Sequence, residues 1–236
     1  MRRCILYTPR RHRLFDDVLR LVEPTLGISA VVDEQEFLDE TVAAQQDFDL
    51  VISFLNEILF RGPLLERQNV NFHPAPPEYP GRGGASYALY DGRNVYGATA
   101  HRMVRKIDAG EIYLVRSFPI LAVDTCETLY ARAEYASLEL LAEVMSHIKR
   151  TGNLPPMRAA SWDGAARTRR QFDHWLLLDP SDKEVFVRKV AAARHSRFPG
   201  PFVHLHGHLF GLSRPREIPK ALRRGDILVK AAPGQD

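Results

Sequence analysis

The sequence predicts an α/β protein whose central sheet is wound with helices. Short apolar runs, which indicate buried strands, occur at 4–8, 28–32, 50–55 and 70–73. Apolar residues at helical spacing from Leu14 to Leu26, and a short helix near Pro63, separate these runs. This alternation of strand and helix favours a parallel sheet. The first strand is not followed by a Gly-x-Gly-x-x-Gly motif, so a dinucleotide site is not predicted.

The longest helical pattern extends from Asp124 to about residue 150, after strand-like runs at 99–103 and 112–123. Asp124 is predicted to cap this helix, with Glu127 as its reciprocal partner, because the two residues have capping-box spacing. The apolar stripe of the helix consists of Leu129, Ala133, Ala136, Leu140, Val144 and Ile148. Such a stripe indicates a helix with one face in the core.

Two regions are predicted along the chain, a core at 1–150 and a C-terminal extension at 151–236 that packs on it. A chain of this length can bury one sizeable core and carry a small appendage. The extension is predicted to be small and to combine a helix with a β-hairpin, after a Gly- and Pro-rich linker. The linker is 151–164, the helix is 183–193 and the strand-like run is 202–210. Trp162 and Trp175 are predicted to be packing residues of this tail.

The composition indicates an ordinary globular protein, since 26% of its 236 residues are charged and 45% are hydrophobic. No apolar run approaches the length of a membrane span, and the run after the basic N-terminus is too short for a signal peptide. A cytoplasmic protein without membrane contact is therefore expected. Cys4 and Cys126 are the only cysteines, so neither a disulfide nor a cysteine-based zinc site is predicted.

Positive charge is concentrated in the C-terminal part of the chain. From Thr151 onward there are 15 Lys and Arg against 8 Asp and Glu. This balance indicates either an anionic partner, such as a nucleotide diphosphate or RNA, or a solvated basic surface. The tail lacks interleaved aromatic residues and any recognisable RNA-binding signature, so a nucleic-acid partner is not predicted.

Three polar residues form the most informative pattern. Asn71 and His73 are two residues apart, so on a strand they point to the same face, where the strand meets a Pro-rich loop. Asp108 lies in a tight Asp-Ala-Gly turn that could direct its carboxylate at an imidazole. Asn can donate to a developing oxyanion, His can accept an amine proton and Asp can orient the His. These groups suit acyl transfer to an amine, although the same pattern also occurs in purely structural roles.

The order and spacing of four motifs resemble the folate-dependent formyltransferase family. They are Asn-x-His-Pro at Asn71, a Pro/Tyr/Gly loop at 74–81, Gly-x-Thr-x-His ending at His101 and Asp-x-Gly-x-Ile at Asp108. The resemblance covers about 50–148. It implies a Rossmann-like core, N10-formyltetrahydrofolate as the formyl donor and a chemistry that needs no metal. It also implies catalytic roles for Asn71, His73 and Asp108, with His101 as a structural residue.

The resemblance further implies where the folate donor binds. The donor is expected beside Phe54, Leu55 and Ile58, in the loop after the third strand. Backbone groups of that loop, and of the turn that contains Ala109 and Gly110, would recognise the pterin. Plain core positions are the alternative for the three apolar residues.

Within this family, the tail looks most like that of bacterial nucleotide-sugar N-formyltransferases. The likeness depends on an Arg-rich lead-in at 167–170, an Arg-x-x-Ala helix at 188–191 and a Phe-Pro-Gly turn at 198–200. It implies a nucleotide-linked amino sugar as the acceptor. Methionyl-tRNA formyltransferases carry a C-terminal β-barrel of about a hundred residues, whereas the residues after Thr151 are expected to form a linker, a helix and a hairpin rather than many short strands.

A nucleotide-linked acceptor needs cationic groups for its diphosphate and an aromatic face for its base. The predicted substrate-binding residues are Tyr79 and Arg82 in the loop, and Arg10 and Arg11, followed by Arg13, after the first strand. Loop packing is the alternative for the tyrosine, and an exposed basic loop is the alternative for the N-terminal arginines.

Three histidines, His204, His206 and His208, alternate along the last strand-like run and would therefore share one face. No acidic partner is evident, so no metal site is predicted. Other acceptors stay open, namely an amino acid, hydroxyornithine, glycinamide ribonucleotide and methionyl-tRNA. The alternative outside enzymes is a non-catalytic folate-binding protein, against which the intact catalytic set argues. The sequence also leaves a homodimer open.

Overall fold

The computed structural model describes residues 2–33, 47–60, 62–196, 200–212 and 229–231, the last three by their backbone. The residues group into two compact units, each built from three stretches of chain. The first unit comprises Met1–Gly81, Val95–Pro119 and Tyr130–Ala166, and the second comprises Arg82–Asn94, Ile120–Leu129 and Arg167–Asp236. The sequence predicts two continuous regions that meet between residues 150 and 151, whereas these units are made of separate stretches. The division at 150/151 therefore stays a prediction.

A six-stranded sheet forms the centre of the first unit. Its strands are β1 (Arg3–Tyr7), β2 (Gly27–Val32), β3 (Leu50–Phe54), β4 (Gln68–His73), β5 (Val95–His101) and β6 (Ile112–Pro119). Their order is β2-β1-β3-β4-β5-β6. The first four strands run parallel, whereas β5 is antiparallel to both β4 and β6. The predicted α/β fold is confirmed.

The directions of β5 and β6 differ from the all-parallel sheet that the alternating pattern predicts. Residues 102–111 join these two strands. A parallel pair needs a crossover of a dozen or more residues, whereas antiparallel neighbours can be joined by a short connection. The strands also have other bounds than predicted, since β5 already begins at Val95 and β6 ends at Pro119.

The helices of the described residues are α1 (Phe15–Val22), α2 (Gly84–Tyr90), α3 (Cys126–Thr151), α4 (Arg169–Trp175) and α5 (Lys183–Ala193), with a 3₁₀ helix at Gly62–Glu66. Helices α1 and α3 pack on one face of the six-stranded sheet, where Val18 and Leu140 belong to the same buried cluster as Leu6 of β1. The opposite face carries a second cluster that includes Ile5 and Leu64. The alternation of β1 between the two clusters reflects the two-residue period of a strand.

The cap of α3 differs from the predicted one. Thr125 Oγ1 accepts a hydrogen bond from Thr128 N at 3.2 Å, and Thr125 N donates to Thr128 Oγ1 at 2.8 Å. Asp124 instead accepts from Leu121 N at 2.8 Å. The predicted pair of Asp124 and Glu127 is therefore wrong by one position. Thr125 and Thr128 have the same spacing, and the Thr128 hydroxyl takes the role that was predicted for the Glu127 carboxylate.

The second unit contains a four-stranded sheet of order β10-β9-β8-β7. Its strands are β7 (Leu177–Leu178), β8 (Phe202–Leu205), β9 (His208–Leu212) and β10 (Val229–Ala231). Leu178, Val203 and Leu212 form a small core against Phe186 and Val190 of α5. The helix predicted at 183–193 is confirmed by α5. Residues 198 and 199 of the predicted Phe-Pro-Gly turn lie outside the described residues.

The strand-like run at 202–210 forms the hairpin of β8 and β9, so a β-hairpin is present in the extension as predicted. His206 and Gly207 form its two-residue loop, and both have positive φ angles, 48° and 83°, as the tightest hairpin turns require. His204 and His208 belong to adjacent rungs of the ladder, so their side chains leave opposite faces. The prediction that the three histidines share one face is therefore wrong. The prediction overlooked that His206-Gly207, between two apolar runs, is a turn signal.

No helix in the described part of the chain combines the length and the apolar character needed to cross a bilayer.

Candidate active site

Strands β4 and β5 bring the polar residues of the predicted site together. Asn71 and His73 lie on the same face of β4, because Val70 and Phe72 alternate with them and enter the cluster on the opposite face. On the antiparallel neighbour β5, His101 pairs directly with Asn71. Residues that pair directly across a ladder share a face, so His101 joins the other two.

Asp108 lies between the two histidines. Its Oδ2 atom is 3.4 Å from His73 Nδ1, and its Oδ1 atom is 3.3 Å from His101 Nε2. The Oδ2 atom also accepts a hydrogen bond of 2.7 Å from the Gly81 amide. Burial raises the pKa of the Asp108 carboxyl, but His73, His101 and the Gly81 amide oppose this effect and hold the net pKa well below its usual value. Asp108 is therefore an anion at neutral pH.

His101 holds the amide of Asn71. His101 Nδ1 donates to Arg102 O at 2.8 Å, and its Nε2 lies 3.0 Å from Asn71 Nδ2. In a neutral ring, Nε2 then carries the lone pair and accepts a hydrogen bond from the amide. In a cationic ring, the same nitrogen would donate to Asp108. His101 thus has a partner in either state.

The His73 ring lies between Asp108 and the loop that follows β4. Its Nε2 atom is 3.2 Å from Tyr79 O, and its side chain is 12% exposed. Thr99 of β5 anchors this loop, because its Oγ1 donates to Ala75 O at 2.8 Å. Both ring nitrogens of His73 therefore face acceptor oxygens.

Trp162 belongs to the same cluster, although the sequence predicts it only as a packing residue of the tail. Its Nε1 donates to Gly110 O at 2.8 Å. Its ring meets the His101 ring edge to face at a centroid distance of 4.9 Å and the His73 ring at 5.9 Å. The signal that could have revealed it is a tryptophan in a segment of small residues, because such a ring and its N–H usually need partners.

The turn that carries Asp108 has a constrained backbone. Asp108 has a φ of 41°, which is uncommon for a residue with a side chain. Gly110 approaches Arg102 so closely that a Cβ atom would lie 1.9 Å from Arg102 O, so this position requires glycine. Ala109, between them, is exposed.

The loop predicted to hold the donor follows β3. Because β3 pairs in parallel with β4, this loop begins beside His73. Leu55 has a φ of 51°, a strained conformation of the kind that clusters at ligand sites. Asn56 Nδ2 is buried and has no hydrogen-bond partner in the described part of the chain. Phe54 itself is a core residue, and Ile58 packs partly buried against the second cluster.

The arginines after β1 have different environments. The guanidinium of Arg10 donates to Val31 O at 2.9 Å. Arg13 forms an ion pair with Glu134, whose carboxylate also contacts a neighbouring histidine. Arg11 is exposed. Arg13 is thus engaged within the protein, and phosphate-binding roles for Arg10 and Arg11 stay predictions.

Tyr79 and Arg82, the two predicted substrate-binding residues of the loop, also have different environments. Tyr79 is 3% exposed, and its ring packs near the Tyr96 ring. The Tyr79 group that lies next to His73 is the backbone carbonyl. Arg82 belongs to the second unit, where its amide donates to Arg167 O at 2.9 Å. Substrate contacts by the Tyr79 and Arg82 side chains stay predictions.

Comparison with known families covers the region that holds this cluster. Residues 6–145, which include Asn71, His73 and Asp108, match the formyl transferase family. The chain belongs to that family. This confirms the resemblance noted from the motifs, and it identifies the protein as a formyltransferase.

Solved structures share the fold of this formyltransferase. A 4-N formyltransferase from Francisella tularensis is 14% identical, with 90% of this chain and 96% of that chain covered and a TM-score of 0.75. A sugar N-formyltransferase from a Shewanella species is 16% identical, with 93% and 99% covered and a TM-score of 0.74. HypX from Aquifex aeolicus, in complex with tetrahydrofolic acid, is 20% identical, with 89% and 37% covered and a TM-score of 0.66.

The formyltransferase offers no metal-type cluster within its described residues, where no three of His, Cys, Asp and Glu are arranged to hold an ion. The chemistry of the cluster is instead that of one amide, two imidazoles and one buried carboxylate. These groups can donate to an oxyanion, accept a proton and balance the resulting charge.

Proposed function

We propose that this formyltransferase transfers the formyl group of N10-formyltetrahydrofolate to the primary amine of a nucleotide-linked amino sugar. The observation that carries the proposal is the position of the Asp108 carboxylate between His73 and His101, with the Asn71 amide beside them. Catalytic roles are assigned to Asn71, His73 and Asp108.

Each of the three residues has a separate task. Attack by an amine on a formyl carbon places negative charge on the carbonyl oxygen and positive charge on the nitrogen. The Asn71 amide donates to that oxygen, and His73 accepts the proton from the nitrogen. Asp108 orients the imidazole and balances the charge that the ring gains. When the tetrahedral intermediate collapses, the carbon–N10 bond breaks, N10 takes up the proton that His73 has accepted, and tetrahydrofolate leaves.

The loop carbonyl of Tyr79 must give way before this proton transfer. It lies 3.2 Å from His73 Nε2, so it occupies the place from which an amine would deliver its proton to that atom. Binding of the acceptor must therefore displace this carbonyl or turn the ring. Such a rearrangement is compatible with catalysis, because catalytic hydrogen bonds in other enzymes often become well aligned only when the substrate is bound. His73 would then become available as a proton acceptor in the complex.

The residues after β3 fit a folate donor. N10-formyltetrahydrofolate supplies a formyl group that is activated by its bond to N10. Leu55, Asn56 and Ile58 would hold the pterin together with the backbone of Ala109 and Gly110. The fit is supported by the buried Asn56 Nδ2, which lacks a partner among the described residues and can donate to a ring acceptor. HypX, which has the same fold, is known in complex with tetrahydrofolic acid.

The acceptor is inferred from three features. Two proteins with the same fold are sugar or 4-N formyltransferases. The chain from Thr151 onward has nearly twice as many basic as acidic residues, which suits a diphosphate. Arg11 presents an exposed cation directly after β1, at the edge of a wound sheet where phosphates commonly bind.

The test is a steady-state comparison of acceptors with N10-formyltetrahydrofolate as donor. The panel contains dTDP- and GDP-linked amino-dideoxyhexoses, the same sugars without nucleotide, methionyl-tRNA, glycinamide ribonucleotide and hydroxyornithine. A nucleotide-linked sugar should have the highest kcat/KM, because binding energy from the nucleotide aligns the amine. Added salt should weaken its binding, and Arg11→Ala should reduce that salt dependence.

Equal turnover of free and linked sugars, or preference for another member of the panel, would overturn the sugar assignment and leave formyl transfer intact. Absence of transfer to every member, with the folded protein confirmed by circular dichroism and no binding of tetrahydrofolate, would overturn the donor as well.

A further inference from the structure

We propose that Trp162 is a positioning residue for formyl transfer, because it clamps the turn that presents Asp108 and shields the two histidines from water. The catalytic part of this inference rests on the proposed function, whereas the clamp itself does not. Trp162 lies in the segment 151–164, whose composition predicts a linker.

The segment around Trp162 is fixed to the first unit on both sides of the ring. Arg158 N donates to Ile112 O at 2.8 Å, which attaches the segment to β6. Asp163 N donates to Pro77 O at 2.9 Å, which attaches it to the loop after β4. The tryptophan is therefore held beside the catalytic cluster by backbone hydrogen bonds.

The clamp acts on the turn from Asp108 to Gly110. On one side, Gly110 is pressed against the Arg102 carbonyl, and Arg102 N donates to Glu111 O at 2.8 Å. On the other side, Trp162 Nε1 donates to Gly110 O at 2.8 Å. A residue with a positive φ, such as Asp108 at 41°, keeps that conformation only when its surroundings determine it. The hydrogen bond from Trp162 to the Gly110 carbonyl therefore helps to hold Asp108 in this conformation, from the side opposite to Arg102.

The shield acts on the imidazoles. The Trp162 ring packs edge to face on His101 and lies near His73, at centroid distances of 4.9 Å and 5.9 Å. Excluding water from this place matters for the chemistry, because water competes with the amine. If water attacks the formyl carbon, the carbon–N10 bond breaks, formate leaves and N10 regains a proton. A shielded site keeps the formyl group for the amine.

Two substitutions separate the clamp from the shield. Trp162→Phe keeps a ring at this position and removes the N–H donor, whereas Trp162→Ala removes both. Trp175→Phe is the matched control, because Trp175 is the other tryptophan of the chain and belongs to the second unit. The measurements are kcat, KM for each substrate and the ratio of formate to formylated amine.

Trp162→Phe should lower kcat about tenfold, leave KM for the donor within about twofold and leave the product ratio unchanged. Trp162→Ala should raise the share of formate several-fold. The control should match the wild type in both. Wild-type kcat in Trp162→Phe overturns the positioning role in formyl transfer, and an unchanged product ratio in a folded Trp162→Ala overturns the shield. Should Trp162→Ala fail to fold, Trp162→Leu takes its place with the same expectation for formate.

A second measurement tests the clamp without any substrate. In Trp175→Phe, one indole N–H signal remains in a nitrogen–proton NMR spectrum. It should exchange slowly with solvent, because the proton is bonded to Gly110 O. Fast exchange would overturn the clamp even in an active enzyme. Slow exchange in a protein that transfers no formyl group would support the clamp and count against the proposed function alone.

Discussion

Asn71 Nδ2 lies 3.0 Å from His101 Nε2, across the antiparallel pairing of β4 and β5. This contact gives His101 a definite task, which is to orient the amide that is proposed to donate to the oxyanion. The motif resemblance implies only a structural role for His101. The geometry allows the orienting role to be tested.

His101→Phe should lower kcat about tenfold, because the ring keeps its volume and loses the nitrogen that holds Asn71. The test is a double-mutant cycle with Asn71→Ala, measured as kcat at saturating substrates. The cost of Asn71→Ala should be much smaller when His101 is already replaced, since residues that act as a unit are not additive. Fully additive effects would show that the two residues act independently.

Asn71→Ala and His73→Ala should each lower kcat by about a hundredfold or more, because one removes the proposed oxyanion donor and the other removes the proposed base. Asn94→Ala, at an exposed position in the second unit, is the control and should retain wild-type turnover. Circular dichroism and thermal unfolding establish that each variant is folded. Near-wild-type turnover of a folded Asn71→Ala or His73→Ala would refute the assigned role.

Asp108→Asn should reduce the free energy of unfolding at pH 7 by about 1–3 kcal/mol, the usual range when a buried hydrogen-bonded charge loses its interactions. The pKa of Asp108 is lowered in the folded protein, so the folded state binds fewer protons than the unfolded state. Its stabilisation is complete above about pH 4 and is lost as the pH falls below that value. Urea unfolding of both proteins at pH 7 and pH 3 measures the difference.

The gap between wild type and Asp108→Asn should therefore be smaller at pH 3 than at pH 7. An equal gap at both pH values would mean that the carboxylate charge contributes nothing to stability. Asn suits this comparison because it tolerates the positive φ of Asp108.

Gly110→Ala should reduce stability by about 2–4 kcal/mol and abolish most activity, because its Cβ would collide with the Arg102 backbone. Gly92→Ala is the matched control. Gly92 has a φ of 66° but open space around a Cβ, so the substitution should cost only about 1–2 kcal/mol and spare activity. Chemical unfolding and kcat are measured for both variants. Equal losses in the two would show that the close approach at Gly110 is not decisive.

His206→Asn should raise the free energy of unfolding by up to about 1 kcal/mol, because Asn is better suited than His to the positive φ of the hairpin loop. Gly207→Ala should have the opposite effect, since its φ is 83°. Thermal unfolding of the two variants against wild type measures both changes. A loss of stability in His206→Asn would show that the histidine side chain has a role beyond the turn.

Periodicity was sufficient to predict the arrangement of Asn71 and His73. A strand has a period of two, so two residues at that spacing share a face whatever the rest of the sheet does. The bounds of α5 were also predictable, since its apolar spacing is regular and Asp182 caps its first turn. Local rules determine such features.

Long-range contacts account for what the sequence did not predict. The position of Trp162 depends on hydrogen bonds to Pro77 and Gly110, which lie more than 50 residues earlier in the chain. The pairing of His101 with Asn71 depends on the direction of β5, and an alternation of strands and helices does not specify that direction. The Gly, Pro and small residues of 151–164 are typical of a linker, and composition alone does not reveal that Arg158 and Asp163 fix this segment to the first unit by backbone hydrogen bonds.

The chain passes between its two compact units five times. Suppose that a single recombination junction joins the N-terminal part of one homologous chain to the C-terminal part of another. At least one of the two units is then divided between the two parent proteins. A junction after Arg150, for example, would supply Trp162 from a different parent than His73. We expect acceptor preference among such chains to diverge by scattered substitutions rather than by exchange of whole segments, and engineered chimaeras to need several junctions at once.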